Sequence, residues 1–416
     1  MFRSNAFVLF PASVLFVAIA TAACSGTHDE PAAATQEDAV TEAEASRPFG
    51  APLAGLSADD AKRFADGLAE FEQVDGVADG LGPVFNDSSC AACHSAGATG
   101  GASERTVTRF ATLTNGAFDP LARLGGSLVN AKGIGEVRGP NGETCTFVAE
   151  VVPPEATITT LRVTTPLFGL GLVDALADAT LEDLAAREAR EHPRTAGRVA
   201  HVTDIARGGL HAGKFGWKAQ NPTLHQFAGD AYTNEMGITN PEFADESCPQ
   251  GDCSLLRCNP SQKHPEDDGT DVAKFTSFMS LLAPPPRTRT TGQTRAGQEV
   301  FDETGCATCH WTTLRTGASS VAALSYTTFH PYSDFLLHDM GALGDGIEQG
   351  DAKGTEIRTA PLWGVRVRPR LLHDGRAGTL EEAISAHAGQ GAAAAARFSD
   401  LGAGDRKALL AFVRSL

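Results

Sequence analysis

A mainly α fold in two domains, with long loops and minor β structure, is the architecture the sequence predicts, and three observations predict it. Each half opens on the same helical step: Phe64, Gly67, Leu68 and Phe71 share one face in the first half, and Gly297 and Phe301 repeat the Gly-x-x-x-Phe spacing in the second. The last twelve residues, DRKALLAFVRSL, place Leu409, Leu410, Phe412 and Val413 on one apolar stripe, as a closing helix does. Alternating strand patterns are few, the best being SLVNAKGIGEVRG and TFVAEVV. A length of 416 residues suits two hydrophobic cores.

Composition excludes several classes. Apolar content of 42% with 22 Phe is too high for a disordered chain, and 44 Gly with 22 Pro lack the period of collagen. The net charge of -17, from 34 basic against 51 acidic residues, repels a phosphate backbone, so nucleic acid is not an expected partner. A basic electron-carrier protein is compatible with it.

The chain begins with a cation at Arg3, an apolar run over residues 6–20, and the small residues Thr21, Ala22 and Ala23 before Cys24. The run is shorter than the roughly 20 residues a bilayer span requires and is broken by Pro11, so it reads as an export signal rather than a membrane helix. Its small-small-Cys ending resembles the lipobox of bacterial lipoproteins, which implies a leader over residues 1–23 and a lipid anchor on Cys24. An ordinary secreted protein is the alternative. Residues 24–50 carry little to bury and form a flexible acidic tether. In the first folded segment, Ser57 and Asp60 are placed to cap the opening helix. The proline run of residues 283–287 ends a helix and stiffens a connection, which divides the folded part into residues 51–285 and 286–416.

The chemistry lies in Cys90-Ala-Ala-Cys93-His94 and Cys306-Ala-Thr-Cys309-His310. Two thiols three residues apart on one turn can form thioethers to one haem, and the adjacent histidine meets the iron from the proximal side. Zinc binding or a redox dithiol are the other readings of Cys-x-x-Cys, but neither explains a histidine directly after both pairs. Two covalently bound haem c groups are therefore expected, one in each of two cytochrome c-like domains. The other four cysteines, Cys145, Cys248, Cys253 and Cys258, form an even set in an exported chain and read as two disulfides with three connectivities open; a metal site is the lesser reading.

For the second haem, Thr379 and Glu382 make a capping box and Gly389 can end the helix, so Leu380, Ala383, Ile384 and His387 share a face. His387 is a candidate distal ligand, with a hydrogen-bonded core histidine as the alternative, and Met340 is the competing ligand. For the first haem, His201, His211, His225 and Met236 have no special placement, so an open distal face is expected, and peroxide or oxygen chemistry belongs to open faces. Trp217, Trp311 and Trp363 read as core aromatics that could also mediate electron transfer.

On these residues the chain resembles the di-haem oxidoreductases related to bacterial cytochrome c peroxidase and MauG, in the branch described as thiol oxidoreductases. The stretches that carry the resemblance are GLGPVFNDSSCAACH, GKFGWKAQNPTLHQFAGDAYTNEMGIT, LLAPPPR, HPYSDFLLHDMG, IRTAPLWGV and LLHDGRAGTLEEAISAH, in family order across both domains. The resemblance implies a substrate-facing first haem and an electron-transfer second haem. It places the second distal ligand fourteen residues after His373, at His387, where the peroxidases commonly have Met; a histidine there implies a lower potential. The displaceable histidine that the peroxidases carry soon after the first motif has no counterpart, and the family's distal glutamate falls by rough position at Glu143 or Glu150.

The function expected is that of a periplasm-facing di-haem c-type cytochrome oxidoreductase, lipid-anchored to the bacterial envelope or at the cell surface. It would perform peroxidase-like chemistry at the N-terminal haem, fed or drained through the C-terminal one. Its expected partners are an electron-donor or acceptor protein such as a small cytochrome or cupredoxin, and a small oxidant such as peroxide. A non-catalytic electron-transfer cytochrome and an accessory redox protein of metal or iron uptake are the alternatives.

Overall fold

Two helix crossings organise the polypeptide. The structure is a computed structural model that describes residues 45–261 and 263–416; the leader, Cys24 and the tether up to residue 44 lie outside the described residues. The helices in chain order are α1 (Ala58–Glu72), α2 (Cys90–Cys93), α3 (Leu170–Asp174), α4 (Asp178–Glu191), α5 (Leu224–Met236), α6 (Thr270–Leu281), α7 (Gly292–Glu303), α8 (Leu380–Ser385), α9 (Ala392–Asp400) and α10 (Ala403–Ser415). Ser57 caps α1 by accepting the Asp60 N–H at 3.1 Å. α6 ends where the proline run begins. No helix among the described residues is long and apolar enough to cross a membrane.

The repeated Gly-x-x-x-Phe step has a packing cause. At Gly67 the face of α1 meets α6 so closely that a Cβ would overlap the Lys274 carbonyl; at Gly297 the face of α7 meets α10, and a Cβ would overlap the Ala408 carbonyl. In both copies the phenylalanine one turn later reaches a haem-motif histidine, Phe71 with its ring 5.9 Å from His94 and Phe301 6.4 Å from His310. The glycine permits the crossing and the phenylalanine fills the floor beneath the histidine. Gly297→Ala should therefore cost about 2 kcal/mol or more despite its better helix propensity, because the two helices must separate. Gly292→Ala, with open space at the same helix's first residue, should be neutral or stabilising. Thermal unfolding of the two variants checks this, and equal midpoints would contradict it.

The expectation of a mainly α fold is corrected: the chain is 36% helical and 16% strand, with several small antiparallel sheets. The two longest strands, Thr106–Thr114 and Ile158–Val163, pair antiparallel from Thr106 opposite Val163 to Ala111 opposite Ile158. Neither is visible as an alternating pattern, because the buried residues of the first, Phe110 and Ala111, are adjacent. Its partner arrives from more than forty residues downstream, so no local signal announces the pair. The two stretches that do alternate also carry strands, Gly135–Arg138 against Thr144–Phe147.

A large core gathers Phe64, Phe71, Leu172, Phe275 and Phe278 with Phe329, Phe335 and Trp363 from beyond the proline run. A second gathers Phe301, Tyr332, Phe398, Leu409 and Phe412. Cys145 bonds Cys258, and Cys248 bonds Cys253, which selects one of the three open connectivities. The long bridge ties the strand Thr144–Phe147 to a segment otherwise rich in turns, where the local core is small.

Candidate functional site

Both Cys-x-x-Cys pairs sit on a single tight turn. In the first, α2 is one turn long, and the His94 N–H donates to the Cys90 carbonyl at 3.1 Å. In the second, Gly305 enters at φ +81° and the His310 N–H donates to the Cys306 carbonyl at 3.0 Å. A left-handed φ favours glycine, which explains the Gly305-Cys306 step. All four sulfurs are free of disulfides. Burial pushes the Cys93 thiol up to about 11, with the Glu235 carboxylate adding to it, and the Cys306 thiol up to about 12; Cys90 is raised further for the same reason. Reactive redox dithiols have lowered values, so a thioredoxin-like role does not fit.

The two histidines are held alike. His94 Nδ1 lies 3.2 Å from the Gly101 carbonyl and His310 Nδ1 2.9 Å from the Tyr332 carbonyl. A carbonyl fixes the proton on Nδ1 and leaves Nε2 as the metal-binding nitrogen. Burial pulls both imidazoles down to about 4 against the opposing carbonyls, so they are neutral over the physiological range. A neutral imidazole and a pair of unbridged thiols on one turn are the donor set that a covalently held haem requires. The residues present fit the group at both motifs.

At the second motif the capping box is formed: Thr379 accepts the Glu382 N–H and the Glu382 carboxylate accepts the Thr379 N–H, both at 3.1 Å. The helix is shorter than the sequence suggested, since α8 ends at Ser385 and His387 lies past its C-cap. A tighter last turn, with His387 N–H donating to the Ile384 carbonyl at 3.2 Å, keeps the ring on the intended face. His387 Nδ1 lies 2.8 Å from the Ala383 carbonyl, and burial lowers its pKa. Its ring centroid stands 6.4 Å from that of His310. Two metal–imidazole bonds of about 2.0 Å plus the half-width of each ring would give roughly 6 Å, the separation expected if both residues held one iron. Met340 is adjacent: its methyl group and the His387 ring both border the point where Gly391 would carry a Cβ.

The sequence reading missed His338, four residues after Asp334 in HPYSDFLLHDMG. It is 2% exposed, with Nε2 2.9 Å from Asp334 and Nδ1 3.6 Å from Cys309 Sγ. Burial opposes its charge, but the Asp334 carboxylate raises it well above its ordinary value. Glu188 lies against the same carboxylate and is pushed up to about 8 by burial and by Asp334. The Asp-x-x-x-His spacing was the available signal.

The histidines without special placement are all engaged: His201 with Glu182 at 2.7 Å, His211 with Asp178 at 2.8 Å and His225 with Glu242 at 2.9 Å, while Met236 is core. Glu150 brackets Asn130 and Gln250 through three hydrogen bonds, and Glu143 lies beside Cys258. The carboxylate whose field reaches Cys93 is instead Glu235 of α5, half-buried, raised by desolvation, and bonded to Asn86 at 2.7 Å. Arg109 offsets it and Asp230. Trp311 is stacked under the Arg187 guanidinium at 4.9 Å, and Trp217 donates to the Val163 carbonyl at 2.9 Å, both structural arrangements.

Residues 148–416 match the protein family described as "Di-haem oxidoreductase, putative peroxidase". No curated protein matches the chain. Among solved structures it is similar to hydrazine synthase of Kuenenia stuttgartiensis, at 13% identity over 98% of this chain and 100% of that one, with a TM-score of 0.34. A MauG-like protein associated with microbial copper homeostasis shares 17% identity over 64% of this chain and 91% of that one, at 0.29. The diheme peroxidase BthA from Burkholderia thailandensis shares 15% over 68% and 91%, at 0.30.

Proposed function

The chain belongs to the di-haem oxidoreductase family, and on that premise we propose that it is an exported c-type cytochrome with peroxidase-like activity at its N-terminal haem. Membership implies two haem groups. When bound, they supply one-electron redox chemistry and, at an open iron face, reaction with a small oxidant. Cys90 and Cys93 would attach the first and Cys306 and Cys309 the second, one in each of the two proposed domains, with His94 and His310 as proximal ligands. His387 would close the second site, with Met340 as its neighbour.

The observation that carries this reading is the asymmetry of the two motifs. His310 faces a second imidazole, that of His387, at 6.4 Å, while His201, His211 and His225 are each tied to a carboxylate. A closed site favours electron relay and an open one favours chemistry. The half-buried Glu235 carboxylate, offset by Arg109, is near enough for its field to reach Cys93 and would suit the handling of a proton there. The net charge of -17 suits a basic electron-carrier protein. The leader of residues 1–23, followed by Cys24, supports a lipid anchor facing the periplasm or the cell surface.

Peroxide-dependent oxidation of a reduced small cytochrome by the purified protein tests this function. The expected result is turnover that falls at least a hundredfold in Cys90→Ala/Cys93→Ala, which should retain one covalent haem. Failure of wild type to oxidise the donor would leave electron transfer alone as its role. A wild type without covalent haem after denaturation would overturn the assignment of the motifs.

A further inference from the structure

A group of metal-ligating side chains lies apart from both haem motifs. Glu246, His264 and Glu266 bring one ligand atom each to within 4.8 Å of one another. His264 Nδ1 is 3.7 Å from Glu246 Oε1 and 3.6 Å from Glu266 Oε1. These separations are too long for hydrogen bonds, but they approach the ligand–ligand edge of about 3.4 Å that bonds of about 2.0–2.1 Å give around a tetrahedral ion.

The carboxylates are not a solvated acidic patch. The Glu266 side chain is 2% exposed and that of Glu246 10%, and Glu266 Oε1 and Glu246 Oε2 are both buried with no hydrogen-bond partner among the described residues. A buried unpartnered carboxylate oxygen is costly, and here one of them is aimed at the imidazole across the gap. The remaining oxygens are oriented from behind. Thr239 donates its N–H to Glu266 Oε2 at 3.1 Å and its hydroxyl to the same atom, while Asn259 Nδ2 donates to Glu246 Oε1 at 2.9 Å. Such supporting bonds hold metal-ligating carboxylates in place.

We infer that Glu246, His264 and Glu266 form a binding site for one divalent cation of the zinc class, separate from the haem groups. One imidazole and two carboxylates suit a borderline ion such as Zn2+; Ca2+ prefers six to eight oxygen ligands and Mg2+ keeps most of its water. His264 is half exposed, which opens a route for the ion and leaves a coordination position for water. The site joins two segments, since Glu246 precedes the Cys248–Cys253 bridge while Glu266 is anchored on Thr239 beyond the end of α5. The cation would clamp the disulfide-bonded loop to the body that carries Cys90 and Cys93.

The test is calorimetric titration of the chelator-stripped, full-length holoprotein with Zn2+ alone, repeated with Ca2+. The expected result is one equivalent of Zn2+ bound and a raised unfolding temperature. In His264→Ala the affinity should fall about tenfold or more, with unchanged haem spectra. Because His264 is half exposed, this variant should fold even if Glu266→Gln does not. Absence of saturable Zn2+ binding, equal binding by wild type and His264→Ala, or Ca2+ bound as tightly as Zn2+ would each overturn the inference.

Discussion

Replacement of His387 by glycine is expected to convert the second haem from a low-spin to a high-spin ferric spectrum while the first is unchanged, and added imidazole should restore the original signal. The effect is large because a single ring decides the ligand field. His387 stands 6.4 Å from His310, its Nδ1 is tied to the Ala383 carbonyl, and desolvation lowers its pKa. Burial holds both rings in the form that binds metal, so the pair needs no proton release to close on iron. If Met340 were the ligand, His387→Gly would leave the spectrum unaltered and Met340→Ala would change it. The potential offers a second readout, since a thioether in place of the imidazole raises it.

Asp345→Ala is expected to destabilise the protein by about 3–5 kcal/mol, the largest effect on folding of any single side chain considered, read as a lower unfolding midpoint. Asp345 is fully buried and joins two buried cations, Arg162 Nε at 2.8 Å and Lys218 Nζ at 2.9 Å. Lys218 also donates to the carbonyls of Lys353, Gly354 and Glu356, but Arg162 Nη2 has no hydrogen-bond partner among the described residues, so removal of the carboxylate strands positive charge in the interior. Burial raises the Asp345 carboxyl, yet Arg162 and Lys218 outweigh it and hold the group below the usual carboxylate value. A lowered folded-state value means that the unfolded chain takes up the proton first. The contribution is complete above the ordinary carboxylate range and is lost as pH falls below it. Wild type should lose this stability in acid, whereas Asp345→Ala should lack that component at every pH; parallel acid profiles would contradict the role given to Asp345.

What the sequence made legible was local. Cys90 to His94 and Cys306 to His310 announce themselves because thioether chemistry demands residues within one turn. The Thr379–Glu382 capping box is legible because its reciprocal bonds are three residues apart. The Gly67 and Gly297 repeat was visible as a pattern, and the structure supplied its reason: two close helix crossings. What failed was nonlocal. The sheet of residues 106–163 depends on a partner from a distant segment, and its burial does not alternate, so a mainly α reading followed. Glu235 and the Arg162–Asp345–Lys218 group were missed for the same reason, since each acquires its role from residues far away in sequence; His338 had a local signal in Asp334, and only its contact with Cys309 is distant. The rough positional choice of Glu143 or Glu150 shows the limit of counting along a chain, because folding placed the first beside a disulfide and the second in a backbone bracket.

The central claim is that one haem site is closed by two histidines and the other is open. Optical and electron paramagnetic resonance spectra of the ferric holoprotein, recorded with and without peroxide, test it most directly. The account predicts one low-spin haem that ignores peroxide and one haem whose spectrum peroxide changes. Two low-spin haems, both unmoved by peroxide and by cyanide, would contradict it.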